Sequence, residues 1–181
     1  MSSLSRRWVL GALAAATVPL AGCATRPLRS ANADGTYCFR RGRVRGHPPA
    51  ACTPTKIPPG SVEAEAKRFE PAPDRLTLYV VRKRWGDSEN VVRIASDGAA
   101  WVITVPESFA RLRLAPGSHQ LTAHWSDATT ALQISGQPGE VLYVELIGST
   151  WAWGSTYRLE LGDPRTVRAR AADLRLVADV G

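Results

Sequence analysis

The chain has 181 residues, a formal charge of +7 and a sequence pI near 9.9, which first points to an anionic partner such as nucleic acid. The distribution of charge weakens that reading. Residues 23–60 carry Arg26, Arg29, Arg40, Arg41, Arg43, Arg45 and Lys56 against Asp34 alone, whereas residues 61–181 hold 14 basic and 15 acidic residues.

At the N-terminus, Arg6 and Arg7 precede an uncharged apolar run from Trp8 to Leu20. As a helix its 13 residues rise only about 20 Å, too short for a hydrocarbon core of about 30 Å. A basic start, a short apolar run and small residues after it make an export signal over residues 1–22. Ser5-Arg6-Arg7-Trp8-Val9-Leu10 resembles a twin-arginine motif, with Val9 in place of the commoner Phe; a general secretory signal fits as well. Leu20-Ala21-Gly22-Cys23 resembles the bacterial lipobox. That resemblance implies cleavage before Cys23, a diacylglyceryl group on its thiol and acylation of the new amino terminus. Each buried acyl methylene contributes about 0.8 kcal/mol, so two or three chains anchor durably. Ala24 stands where Asp would signal inner-membrane retention, so the expected location is the outer membrane, facing the periplasm.

Cleavage leaves 159 residues, enough for one domain with an extension and for a core that needs no metal to fold. Residues 23–73 read as a Pro/Arg-rich tether, extended at Pro48-Pro49, Pro54 and Pro58-Pro59. Its net positive charge suits anionic lipid or a polyanionic envelope polymer, and a plain solvated linker stays open. Within it, Cys38 and Cys52 read as a disulfide in an oxidising compartment, closing a loop worth about 3 kcal/mol. A zinc site is not expected, because only His47 lies nearby and the spacing is wrong. Residues 61–69 suit a short helix with Ser61 as N-cap, ended by Pro71 and Pro73.

From residue 74 to 181 the pattern is short β runs broken by turns. Leu76–Arg82 opens the domain. Asp97-Gly98 marks a hairpin between Val91–Ile94 and Ala99–Val105. Ala110–Leu114 alternates, with Leu112 and Leu114 on one face and Arg111 and Arg113 on the other. Pro116-Gly117 turns the chain into His119–Trp125, which places Leu121, Ala123 and Trp125 inward. Ala131–Ile134, Val141–Ile147 and Tyr157–Leu161 follow, then a short helix over Pro164–Ala172 and a last strand over Leu174–Val177. The expected fold is all-β, a single sandwich of about eight short strands.

The stretch Leu112-Arg-Leu-Ala-Pro-Gly-Ser-His-Gln-Leu-Thr-Ala123 resembles the centre of a bacterial domain family, the domain of unknown function numbered twenty-eight forty-six. That centre is similar to PEGA-type sandwich modules. Leu76–Arg82, Asp97-Gly98 and Gly139–Leu146 support the resemblance, which covers roughly residues 74–178. It implies a β-sandwich on a surface lipoprotein and carries no catalytic residue.

No constellation in the sequence is catalytic. There is no G-x-S-x-G elbow, H-E-x-x-H or glycine-rich phosphate loop. His119 and His124 are separated by an odd number, so they do not share a strand face. The expectation is a non-enzymatic envelope structural or binding module with no cofactor. Its partners are the membrane through acylated Cys23 and an envelope protein.

The distinctive cluster is Ser149-Thr-Trp-Ala-Trp-Gly-Ser-Thr-Tyr157, with Trp85, Trp101 and Trp125 elsewhere. Trp151, Trp153 and Tyr157 form the candidate contact surface, with Trp151 and Trp153 on one face if they share a strand. The opposite reading has these rings filling the core or covering an edge. The alternative function is glycan binding through Trp151 and Trp153. Glycan cleavage would add two carboxylates in a cleft.

Overall fold

A computed structural model describes residues 29–40, 50–83 and 90–181. The export signal, Cys23, Arg41, Arg43, Arg45, His47 and Trp85 lie outside the described residues, as does the side chain of Trp101.

In chain order the elements are β1 (Cys38–Phe39), β2 (Ala51–Cys52), α1 (Gly60–Ala66), β3 (Leu76–Lys83), β4 (Val92–Ser96), β5 (Ala99–Thr104), β6 (Ser108–Leu114), β7 (Gly117–Trp125), β8 (Ala128–Gly136), β9 (Val141–Trp151), β10 (Gly154–Leu161), α2 (Pro164–Ala172) and β11 (Arg175–Val180). A five-stranded sheet, ordered β10-β9-β3-β6-β11, faces a four-stranded sheet, ordered β5-β4-β7-β8. The fold is an all-β sandwich. Two pairings, β3 with β9 and β6 with β11, are parallel, and the rest are antiparallel.

The main core lies between the sheets. Leu78 and Val80 of β3, Ile94 of β4, Leu112 of β6, Leu121 of β7 and Leu146 of β9 meet there. On the outer face of the five-stranded sheet, α1 and α2 cover a second core of Tyr79, Val81, Phe109 and Tyr143 with Ala66, Phe69, Val167 and Ala171. Burial on both faces accounts for the unbroken apolar run of β3, where alternation would otherwise be expected.

Local chemistry explains most element boundaries. Asp97 (φ 52°) and Gly98 (φ 72°) both occupy the left-handed region, as a tight two-residue hairpin requires, and β4 and β5 pair across them. The Asp163 side chain accepts from the Thr166 amide at 2.9 Å and caps α2, with Pro164 in its first turn. Helix α1 differs from expectation at its start. Its N-cap is Pro59, which makes no side-chain cap bond, so Ser61 lies inside the helix. Phe69, at φ 56°, turns the chain away and packs on Tyr79 with ring centres 5.0 Å apart.

The segment expected as a tether is docked where it is described. Cys38 and Cys52 are disulfide-bonded as directly opposed residues of the β1–β2 pair. Tyr37, Ala51 and Ile57 pack against Val105 and Val177 of the sandwich. Thr53 clamps the hairpin: its amide donates to the Tyr37 carbonyl at 2.8 Å, and its hydroxyl accepts from the Tyr37 amide at 3.0 Å. Helix α1 likewise belongs to the packed body, since its Ala66 is fully buried against the second core.

Candidate contact site at one end of the sandwich

The registers place several features at one end. β3 runs parallel to β9, with Lys83 opposite Ile147, and β9 continues four residues further to Trp151. The start of β6 lies at this same end through the pair Val81–Phe109, and bonds between Arg82 and the Asn90 carbonyl and between Trp125 and the Ser155 carbonyl bring the start of β4 and the end of β7 to it. β9 and β10 pair as far as Trp151 and Gly154, leaving Ala152 and Trp153 as a two-residue turn. Trp151 is 61% and Trp153 88% exposed, and Val91, at the start of β4, is 38% exposed.

Trp151 and Trp153 therefore do not share a strand face. Trp151 is the last residue of β9, and Trp153 is in the turn. By alternation Trp151 continues the row Tyr143, Glu145, Ile147 and Ser149, beyond the part of that face that α2 covers. Its partner across the ladder is Gly154, whose missing side chain leaves the indole uncovered. The reading of these two rings as core is corrected, because both stand in solvent.

Tyr157 is separated from them. It is 6% exposed, faces inward and meets Trp125 edge-on with ring centres 4.9 Å apart. It belongs to the support of the site and not to the contact surface. Its hydroxyl accepts from Arg82 Nη2 and from Asn90 Nδ2, both at 3.1 Å. Arg82 is fully buried. Its Nη1 donates to the Thr104 carbonyl and its Nη2 to the Asn90 carbonyl, each at 2.7 Å, and its guanidinium lies 5.3 Å from the Tyr157 ring centre. Asn90 Nδ2 also donates to Ser155 Oγ at 2.7 Å, Ser155 Oγ donates to Thr150 Oγ1 at 3.2 Å, and Trp125 Nε1 donates to the Ser155 carbonyl at 2.9 Å. The base of the tryptophan turn is thus bolted to β3, β5, β7 and Asn90 ahead of β4 by a connected polar network.

Beside it is an open cleft of about 450 Å³, lined by Val91, Arg93, His124, Trp125 and Ser126. His124 faces outward and meets Thr129 Oγ1 at 3.3 Å. His119 lies at the opposite end and on the other face, as the odd separation required. Its Nδ1 meets Asp97 Oδ2 at 2.6 Å and its Nε2 the Ala115 carbonyl at 2.7 Å. Burial pushes the imidazole pKa down, but the hydrogen bonds to Asp97 and the Ala115 carbonyl, with the Asp97 charge, outweigh it and hold the pKa above its ordinary value. The His119 hydrogen bond and that of the Gln120 amide keep Asp97 below the usual carboxylate range.

The sequence reading missed Arg82, Asn90, Arg93 and His124 as parts of this end. Arg82 carried a usable signal: it has the parity of Leu78 and Val80, so its side chain points inward. The cleft lining that is described contains no carboxylate, and no three His, Cys, Asp or Glu side chains among the described residues are grouped to hold a metal. No helix among the described residues is long and apolar enough to cross a membrane. No family model and no curated protein matches this chain.

Proposed function

We propose that the protein is a lipoprotein of the bacterial envelope, held in the outer membrane through acylated Cys23. In this reading its sandwich is a non-enzymatic binding module facing the periplasm. The lipobox Leu20–Cys23 supports the anchor, and the formed disulfide suits an oxidising compartment. The single observation that carries the binding role is the solvent-borne pair Trp151 and Trp153 on a braced turn. Monomeric domains seldom leave two indoles uncovered without a surface to meet. The resemblance of residues 74–178 to the domain family numbered twenty-eight forty-six belongs to the same proposal.

Photo-crosslinking in intact cells from a probe at position 153 tests this role. A discrete adduct that disappears in the Trp151→Ala chain is expected; adducts indistinguishable from those of a probe on the far end would overturn it. Labelled palmitate on the wild type and its loss from Cys23→Ala test the anchor. Glycan binding remains the second reading, because an exposed indole stacks on a sugar ring face. The cleft lining favours binding over cleavage, which uses paired carboxylates.

A further inference from the structure

We infer that the β9–β10 turn is a second membrane contact, with Trp151 and Trp153 entering the headgroup layer of the bilayer that holds Cys23. The inference rests on the reading of Cys23 as the acylated residue and names the surface that the tryptophan site meets.

It follows first from where the chain enters the sandwich. Arg175 Nη2 donates to the Arg29 carbonyl at 2.6 Å, fixing the first described residue at the start of β11. Across the five-stranded sheet, Arg175 is level with Ser108 of β6, and Phe109 is opposite Val81, which is level with Glu145 of β9. The entry point is therefore level with Leu146, on the same end of the sheet as the tryptophan turn.

The lengths then agree. Cys23 lies six positions before Arg29, so the anchor cannot lie more than about 20 Å from the entry point. Trp151 lies five positions beyond Leu146, so the tip projects about 17 Å beyond that level. The offset across the sheet from β11 to β9 is three strand spacings, about 14 Å. A bilayer holding Cys23 is thus within reach of the tip.

The tip also has the chemistry of an interface anchor. Indoles settle at the headgroup level because the ring is apolar and its N–H remains wet. Trp151 at the end of β9 and Trp153 in the turn stand in solvent outside the cleft lining, and exposed Val91 adds apolar surface at the same end. The bonds of Asn90 and Trp125 to Ser155 hold the turn in place before contact, so little order is lost on insertion.

The test uses the acylated protein in vesicles of phosphatidylethanolamine and phosphatidylglycerol, part of the acyl chains brominated. Quenching of tryptophan fluorescence is expected in the wild type, most of it lost in the Trp151→Ala, Trp153→Ala double variant. For the unacylated mature chain, residues 23–181 carrying Cys23→Ser, partitioning onto the same vesicles should fall about tenfold or more on Trp153→Ala. Equal quenching, or equal partitioning, in wild type and variant overturns the inference. Palmitate on Cys23 without quenching overturns the tip alone, whereas no palmitate overturns the anchor and the inference together. Protection of the two indoles by sacculi or by an envelope protein, with vesicles giving none, reassigns the contact and also overturns it.

Discussion

The Tyr157 hydroxyl accepts from two donors, the buried Arg82 and the half-buried Asn90. Removing it in Tyr157→Phe leaves both donors short of a partner at the base of the tryptophan turn. A loss of about 1–3 kcal/mol is expected in urea unfolding. His119 contributes through protonation. Its raised folded pKa means its stabilisation is complete below the ordinary histidine value of 6.5 and is lost as pH rises through the folded value. Asp97, lowered by the His119 hydrogen bond, contributes above its ordinary 3.8 and loses that contribution as pH falls through its folded value. The pair therefore stabilises most at about pH 5–6. Thermal melting should show stability declining from there towards pH 8, and His119→Gln should flatten the decline. Arg82 and Tyr157 were the least legible residues here. Parity points both side chains inward, yet an arginine at a strand end and a tyrosine beside two exposed tryptophans invite the reading of a surface.

Helix α1 illustrates how an amphipathic segment becomes part of a fold. Arg111 is 3% exposed on the outer face of β6. It forms paired hydrogen bonds to Glu65 of α1 at 2.7 and 2.6 Å, and to Asp179 of β11 at 2.8 and 2.9 Å. The Arg111 hydrogen bonds hold Glu65 low; for Asp179 burial pushes upward, but Arg111 prevails and the net shift is down. Both lowered carboxylates stabilise above the ordinary acidic range, and that contribution is lost on acidification. Arg111→Met leaves Asp179 half-paired and Glu65 to solvent, so a loss of about 2–4 kcal/mol in urea is expected, with faster amide exchange in α1. Alternation in the sequence put Arg111 on the correct face, but it said nothing of the helix above it. The β1–β2 hairpin was legible in its covalent bond and not in its docking. Replacing Cys38 and Cys52 together by Ser should lower stability by about 3 kcal/mol, read from reducing-agent-independent melting of the variant.

At the level of the sandwich, the tryptophan turn stands outside the packed cores, with both indoles in solvent. Trp153→Ala should therefore leave urea stability within about 0.5 kcal/mol while reducing vesicle quenching. Turn signals and two-residue alternation were enough to read an all-β sandwich, the Asp97-Gly98 hairpin, the helix at Pro164–Ala172 and the Cys38–Cys52 bond, because each depends on residues close together or on one strong covalent preference. The parallel joining of β3 to β9 and β6 to β11, the docking of residues 29–40 and 50–66, and the meeting of Arg82 with Tyr157 across 75 positions had no local signal. They arise only when two sheets close over a shared core, since strand order is decided by which apolar faces remain uncovered once the hairpins have formed. That closure also carries the chain's entry point and the tryptophan turn to one end, a juxtaposition absent from any linear reading of the residues.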